Sequence, residues 1–446
     1  MAKKINGVLR VCPENPRYFT DDSGRAIYLA GSHTWNNFRG RNPGDPPAAF
    51  DYPAFLDFQE KFNHNFFRLW AWELPRTYQV EGIVWHCDVF PWPRTGPGLA
   101  TDGKPRFDLA QLLPGFFMRI RQRVLTAQER DLYVCVMLFD GFGPQFLRRS
   151  DDGFPLDGAN NINGINCGGP ESQSLADPSV TAVQEAYVRK VIETVNDLDN
   201  VLYEIANESG VYSTDWQYHF IRFVKQCEAA LPKQHPVGMT FQYKGGTNET
   251  LFNSPADWIS PDGTQGYGNP TDPPAADGRK VIINDTDHSL YYIGLKEVGE
   301  VGQRAWVWKN FLRGNNLAFM DPYLLFWPDR NYPQGNDLDP SWDMMRRSLG
   351  YARDFANRID LTNMKPCNDL ASTKYCLANP GKEYLVYVPE GTTVEMDITG
   401  TTGHLQVEWF NPTTGTTKTA DRVTVGKIQK FNSPFSPDAV LYLVVE

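Results

Sequence analysis

The stretch VLYEIANES, Val201 to Ser209, decides how this chain is read. From Val201 to Asn207 it is mostly apolar and carries no turn signal, so a strand buried on both faces is expected. The run ends abruptly in Asn207-Glu208, which sets a carboxylate at the carboxyl end of the strand. In parallel α/β folds that end is the rim where the chemistry collects. A second run of the same kind, VIINDTDH from Val281 to His288, also closes in acids.

Working outward, the first thirty residues hold VLRV, RYFT and AIYLA broken by DDSG, the pattern of a β-hairpin leading into a strand. Strand-like segments then recur at Ile27 to Gly31, Phe66 to Trp70, Leu132 to Phe139, Val201 to Asn207, Pro236 to Phe241, Trp258 to Ser260, Val281 to Asn284 and Leu317 to Met320. Amphipathic helical stretches alternate with them, among them Leu112 to Arg130, Ser179 to Leu198, Trp216 to Leu231 and Trp342 to Arg358. This alternation predicts an α/β fold, a (β/α)8 TIM barrel over residues 1–360. A doubly wound nucleotide-binding sheet should show G-x-G-x-x-G after a strand, and the sequence has none. Two long segments rich in Pro, Gly and Trp, Trp85 to Asp108 and Arg148 to Ser174, read as loops walling the barrel mouth. After Leu361 the helical period stops, and YLVYVPEG, TVEMDITG, LQVEWFNPTTG and AVLYLVVE predict a C-terminal antiparallel β-sandwich over residues 361–446.

Composition narrows the partners. A net charge of −10 excludes a nucleic-acid surface, which would be basic. No apolar run approaches the roughly 20 residues of a membrane span. MAKKINGVLR has no apolar core behind its lysines, so a cytoplasmic protein, or a secreted one whose leader has been removed, is expected. Seven dispersed cysteines without a C-x-x-C pair read as reduced, buried thiols; only Cys367 and Cys376 are near enough in sequence to suggest a bridge. The 12 Trp, 20 Tyr and 27 Phe fill a large core, and several fall at strand ends where a sugar face can stack.

Asn207-Glu208 on the fourth strand, and Asn65, Arg68 and Leu69 in NFFRLW on the second, follow a pattern that resembles the clan A glycoside hydrolases. These are (β/α)8 enzymes with a Glu acid/base after strand four and a nucleophile after strand seven. The segments YCLANPGKEYLVYVPEG, VEWFNPTTG and PFSPDAVLYLV look like the collagen-binding-type β-sandwich appended to one group of these barrels. The resemblance implies a carbohydrate substrate cleaved at a glycosidic bond, Glu208 as acid/base and Asn207 on the sugar 2-hydroxyl. A general acid must keep its proton near working pH, so burial or a neighbouring negative charge should raise its pKa. The seventh strand departs from the pattern, because the clan's Glu position falls on Asp285. Asp287, two residues on and on the same strand face, competes with it; Asp285 is favoured as nucleophile. A retaining reaction is expected, or an inverting one through water if the pair stands too far apart.

Arg68 and His288 are expected to orient that nucleophile, with Glu204 deeper in the barrel and paired to Arg68. Further sugar contacts are expected from His33, Trp35 and Asn36, from Trp70, Trp72 and Glu73, and from Asp140, Tyr243, Asp321 and Tyr323. No cofactor and no metal is expected, and oligomeric state is not read. Three alternatives are set against this. A metal-dependent barrel hydrolase would gather Asp285, Asp287, His288 and His33, but Ser32-His33-Thr34 stands where such barrels carry H-x-H. A carbohydrate-binding barrel without catalysis would suit the Asp at the clan's Glu position. A Ser-His-Asp esterase lacks its G-x-S-x-G elbow.

Overall fold

The computed structural model of the chain describes residues 5–80, 82–262, 267, 269, 271–289, 298–323 and 340–446. Eight parallel strands form one sheet: β1 Ala30–His33, β2 Phe66–Leu69, β3 Tyr133–Asp140, β4 Val201–Asn207, β5 Val237–Thr240, β6 Trp258–Ser260, β7 Val281–Asp285 and β8 Asn316–Met320. Each pairs with the next from β2 to β8, and β8 returns to β1. Asn65 closes the seam between β1 and β2. Its backbone N–H donates to Ala30 O at 2.9 Å, and its side chain accepts from Ala30 N and donates to Tyr28 O. The approach there is so tight that a Cβ on Gly31 would lie 2.0 Å from Phe66 O, so only glycine fits. The fold is the TIM barrel that the alternation predicts.

Outside the strands lie α1 Tyr52–Lys61, α2 Pro114–Gln128, α3 Pro178–Val195, α4 Thr214–Glu228, α5 Gly299–Leu312 and α6 Asp343–Arg358. Asp51 and Asp177 cap α1 and α3 by accepting backbone N–H bonds from the first turn. Strands β3 and β4 are buried along their whole length, as expected of strands covered on both faces. The amino-terminal strands Arg10–Val11, Phe19–Thr20 and Ala26–Ile27 form an antiparallel sheet whose Leu9 and Phe19 pack with Phe66, Tyr133, Leu202 and Trp258, plugging the barrel floor.

Two sequence expectations need correction. The first barrel strand is Ala30–His33 rather than Ile27–Gly31, because Asn65 occupies Tyr28 O and barrel pairing begins only beyond it. The segment Trp85 to Asp108 is not plain loop. Ile83–Cys87 pairs with Arg76–Val80 and with Arg41–Asn42, and Arg94–Leu99 pairs with Pro105–Phe107.

The carboxyl-terminal part is antiparallel throughout. Lys365–Pro366, Cys376–Asn379, Glu383–Val388, Ala439–Val445, His404–Asn411 and Thr416–Thr424 lie side by side in that order, and Thr393–Asp397 pairs with Ile428–Asn432. Val386, Val394, Met396, Leu405, Trp409 and Phe431 fill the space between the two sheets. Its outer face is continuous with the barrel core: Trp308 of α5 stacks on Tyr387, and Phe355 of α6 meets Phe410. A fully buried ion pair joins the parts, with Arg304 Nη2 2.9 Å from Asp438 Oδ1 and Tyr387 donating its hydroxyl to Asp438 Oδ2. Asp438→Ala would strand that guanidinium without a partner, so a loss of about 3–5 kcal/mol is expected. The midpoint of denaturant unfolding should fall accordingly, whereas exposed Lys418→Ala should leave it near wild type.

All seven cysteines are free; Cys367 N donates to Cys376 O at 2.8 Å without a sulfur bridge. Among the described residues no helix is long and apolar enough to cross a membrane.

Candidate active site

The carboxyl ends of β3 and β4 are fixed against one another by a backbone bond. Gly141 N donates to Asn207 O at 2.7 Å, and a Cβ on Gly141 would lie 2.3 Å from Ser209 N. Glycine therefore lets the turn after β3 sit directly on the turn after β4. Glu208 leaves β4 with φ +53°, a left-handed conformation costing a non-glycine residue roughly 1–2 kcal/mol. Such strain is characteristically held at functional positions. Here it turns the Glu208 side chain into the barrel mouth.

Beneath the mouth lies a buried charge network centred on Arg68. Its Nε and Nη2 donate to both oxygens of Glu204 at 2.8 and 2.5 Å, and Nη2 also donates to Asn207 Oδ1 at 2.6 Å. Its Nη1 donates to Asp285 Oδ2 at 2.9 Å. Glu204 is thus where its strand face puts it, deeper than Glu208 and paired with Arg68. Asp285 is held from three sides, by Arg68, by His33 Nε2 at 2.8 Å and by the backbone N–H of Asp287 at 2.9 Å. Burial opposes its ionisation, but His33 and Arg68 overcome that and keep its pKa below the ordinary carboxylate range.

Asp287 is differently placed. The chain leaves β7 as a short helix, Thr286–Ser289, so strand alternation does not continue past Asp285. The turn lifts Asp287 above Asp285 to the pocket wall, with its Oδ2 3.6 Å from Arg68 Nη1 and 3.7 Å from His288 Nε2. Both contacts are too long for good hydrogen bonds, and Oδ2 accepts none among the described residues. Oxygens of Glu208 and Asp287, together with a His288 nitrogen, lie within 4.8 Å of one another.

The two acids share one electrostatic problem. Burial, then the Asp285 charge, pushes Asp287 up to about 7. Burial, then the Asp287 charge, raises Glu208 well above the ordinary glutamate value. Two carboxylates this close do not both ionise readily, and the proton stays on Glu208 while Asp287 ionises first. His288 is held neutral, its pKa lowered to about 3 by burial and by Arg68. Its Nε2–H donates to Asn207 Oδ1 at 3.1 Å and its Nδ1 accepts from Ser260 Oγ at 2.8 Å. With both ring nitrogens engaged, His288 is arranged to orient Asn207 rather than to ligate an ion.

Above this floor is a cavity of about 540 Å³, within the usual range for small-molecule sites. Of the residues singled out in the sequence, Trp35, Trp70, Trp72, Asn207, Glu208, Tyr243 and Asp287 line it. His33, Arg68, Asp285 and His288 form the layer below, with His33 stacked on Trp70. Others are not brought to the cavity wall. Asp321 is spent in a buried two-pronged pair with Arg346, and Tyr323 packs on Phe58. Asp140 caps the turn after β3 by accepting from Phe142 and Gly143 N–H, and Asn36 lies outside the lining. Glu73 accepts from Asp140 N at 3.3 Å; burial and the neighbouring charge of Asp140 push it up to about 8.

The structure adds wall residues the sequence did not announce: Tyr78 from the hairpin Arg76–Val80, Phe142 and Phe146 from the short helix after β3, and Leu147 and Arg149 beyond it. Trp72 is steadied by Arg41, whose guanidinium lies between the Trp72 and Trp85 rings at 4.1 and 4.8 Å.

Among solved structures, the chain is similar in fold to a glycoside hydrolase family 5 protein from Bacteroides vulgatus, at TM-score 0.66 and 13% identity, covering 99% of this chain and 93% of that one. It is equally similar to a second Bacteroides vulgatus protein, described as "a putative glycoside hydrolase", at TM-score 0.67 and 13% identity over 100% of this chain and 83% of that one. A third, titled simply glycoside hydrolase, matches at TM-score 0.65 and 13% identity over 100% and 99%. At this identity the likeness establishes the barrel-plus-sandwich architecture. A family profile described as "Putative collagen-binding domain of a collagenase" matches residues 367–444, the antiparallel part. No curated protein matches the chain in sequence.

Proposed function

We propose that the protein is a glycosidase that hydrolyses O-glycosidic bonds in an oligo- or polysaccharide with retention of configuration. The observation that carries this reading is the approach of Glu208 and Asp287 oxygens to within 4.8 Å across the mouth of a barrel lined by aromatic rings. Retaining enzymes hold their carboxyls about 5–5.5 Å apart, whereas inverting enzymes need about 6.5–9.5 Å to admit a water.

In this mechanism Glu208 donates its proton to the leaving oxygen while Asp287 Oδ2 attacks the anomeric carbon and forms a glycosyl ester. Glu208, now ionised, takes a proton from water, which opens the ester and returns both residues to their starting states. Asp285 serves as the fixed negative charge that holds Arg68 and His33 in place beneath the attacking acid. Sequence position favours Asp285 as nucleophile; the pocket geometry favours Asp287, because both oxygens of Asp285 already accept hydrogen bonds and Asp287 Oδ2 accepts none among the described residues. The oxygen of Asn207 is taken by Arg68 and His288, and its Nδ2 donates to Glu208 Oε2 at 3.5 Å, which leaves the second N–H for the sugar 2-hydroxyl. Trp35, Trp70 and Trp72 give the cavity wall apolar ring surface for the sugar.

A panel of aryl-glycosides and plant or algal polysaccharides, with the first-formed product anomer followed by NMR, tests the proposal. Retained configuration is expected. Inversion would overturn the covalent step, and sugar binding without any turnover would favour a non-catalytic binding barrel.

A further inference from the structure

We propose that the substrate of this pocket is an acidic glycan, and that Arg149 and Lys244 receive its anionic substituent, a uronate carboxylate or a sulfate ester. This rests on the glycosidase reading above and names its substrate class.

The chain carries a net charge of −10, and the cations around this rim are mostly consumed by its own acids. Arg148 pairs with Asp152 at 2.6 Å and with Asp157 at 3.2 Å. Arg76 lies 3.8 Å from Asp151, which also accepts the Tyr78 hydroxyl. Arg94 is bound to Asp102, and Lys104 to Asp45. Arg149 and Lys244 differ: among the described residues neither side chain has a carboxylate at ion-pair distance. Their neighbours are rings instead. Arg149 Cζ stands 5.9 Å from the Tyr78 ring, and Lys244 Nζ stands 4.5 Å from Phe146 and 5.6 Å from Tyr243.

Unpaired surface cations are common and mean little alone. These two are distinguished by position. Arg149 lines the cavity that holds Glu208 and Asp287, and Lys244 rests on two rings that line it. Lys244 is also held at φ +59°, a conformation lysine rarely adopts, which fixes the chain where its ammonium lies over those rings. Rings and uncommitted cations together match a sugar with an apolar face and a charged substituent. The guanidinium forms two parallel hydrogen bonds to a carboxylate or sulfate, and the ammonium adds a point charge. A neutral sugar would use the rings and leave both cations solvated. The substituent must sit at the rim rather than beside the anomeric carbon, where Asp285 and Asp287 would repel it.

Calorimetric titration of the Glu208→Gln protein tests this with three probes: neutral xylo- and manno-oligosaccharides, oligogalacturonides and oligoglucuronides, and sulfated galactan oligosaccharides. Acidic probes are expected to bind at least about tenfold more tightly than neutral ones at low salt, with affinity falling as ionic strength rises. Adding Arg149→Gln and Lys244→Gln should remove most of that preference and flatten the salt dependence. Both residues are exposed, and Arg149→Lys, which keeps the charge, should restore part of the preference. Preference confined to uronides identifies a carboxylate; preference confined to sulfated probes identifies a sulfate. Equal affinity for neutral probes, no binding of any acidic probe, or an acid preference untouched by the double variant overturns the proposal. Wild-type turnover separates the two readings: hydrolysis of neutral glycosides alone sinks the acidic-substrate assignment and keeps the glycosidase, while tight acid binding without hydrolysis does the reverse.

Discussion

Asp287→Asn is expected to lower kcat by roughly 10⁴-fold, equivalent to about 5.4 kcal/mol of transition-state stabilisation, while the protein folds and binds sugar. The substitution keeps the shape of the side chain and removes the nucleophilic oxygen. Little structure depends on that oxygen, since Oδ2 accepts no hydrogen bond among the described residues. Asp285→Asn should behave differently. It takes the charge from a carboxylate held by Arg68 and His33 inside the barrel, so the unfolding midpoint should fall. Its effect on kcat should be smaller, about 10²-fold, because it acts through the position of Arg68. The opposite ranking, with Asp285→Asn inactive and Asp287→Asn near wild type, would move the nucleophile to Asp285.

Glu208→Gln is the second large effect, and its size should depend on the leaving group. For an alkyl glycoside, whose departing oxygen needs a proton, general acid catalysis is worth about 10²–10⁴-fold, and that loss is expected. For a dinitrophenyl glycoside, which leaves unprotonated, the first step should survive almost intact and the covalent ester should accumulate. The pH profile carries the same assignment. kcat/KM of the wild type should rise as pH rises through about 7, where Asp287 ionises, and fall at higher pH as Glu208 loses its raised proton. Glu208→Gln should abolish the alkaline fall. The rising limb should stay near pH 7, because Glu208 is still protonated and uncharged when Asp287 ionises. An alkaline limb that persists in Glu208→Gln would assign the acid elsewhere.

How far the fold can be read ahead of the coordinates depends on how local its causes are. The β4 segment is legible because seven contiguous residues are all buried, and a strand covered on both faces must be mostly apolar, with Glu204 and Asn207 the exceptions that Arg68 satisfies. Arg68 and Glu204 are legible as partners because two-residue alternation sends both into the barrel. The same rule fails at Asp287, since it assumes that β7 runs on past Asp285. In the structure Thr286 begins a helical turn and takes Met320 N as a hydrogen-bond donor, a contact with β8 that no local pattern signals. Asp321 looks like a sugar ligand from its place after β8, yet Arg346 of α6, 25 residues later, claims both of its oxygens. Tyr78 had a usable signal, the alternation of its hairpin. Phe146 and Arg149 had none, because a short helix and its following loop set them on the wall through tertiary contacts.

The pairing of Glu208 with Asp287 is tested most directly by trapping the covalent intermediate. The wild-type protein would be incubated with a 2-deoxy-2-fluoro glycoside bearing a dinitrophenyl leaving group, built on whichever sugar the activity panel selects. The protein would then be digested and the labelled peptide sequenced by mass spectrometry. One sugar esterified to Asp287 is the expected result. A label on Asp285, or no label from a compound that is nonetheless turned over with inversion, would contradict it.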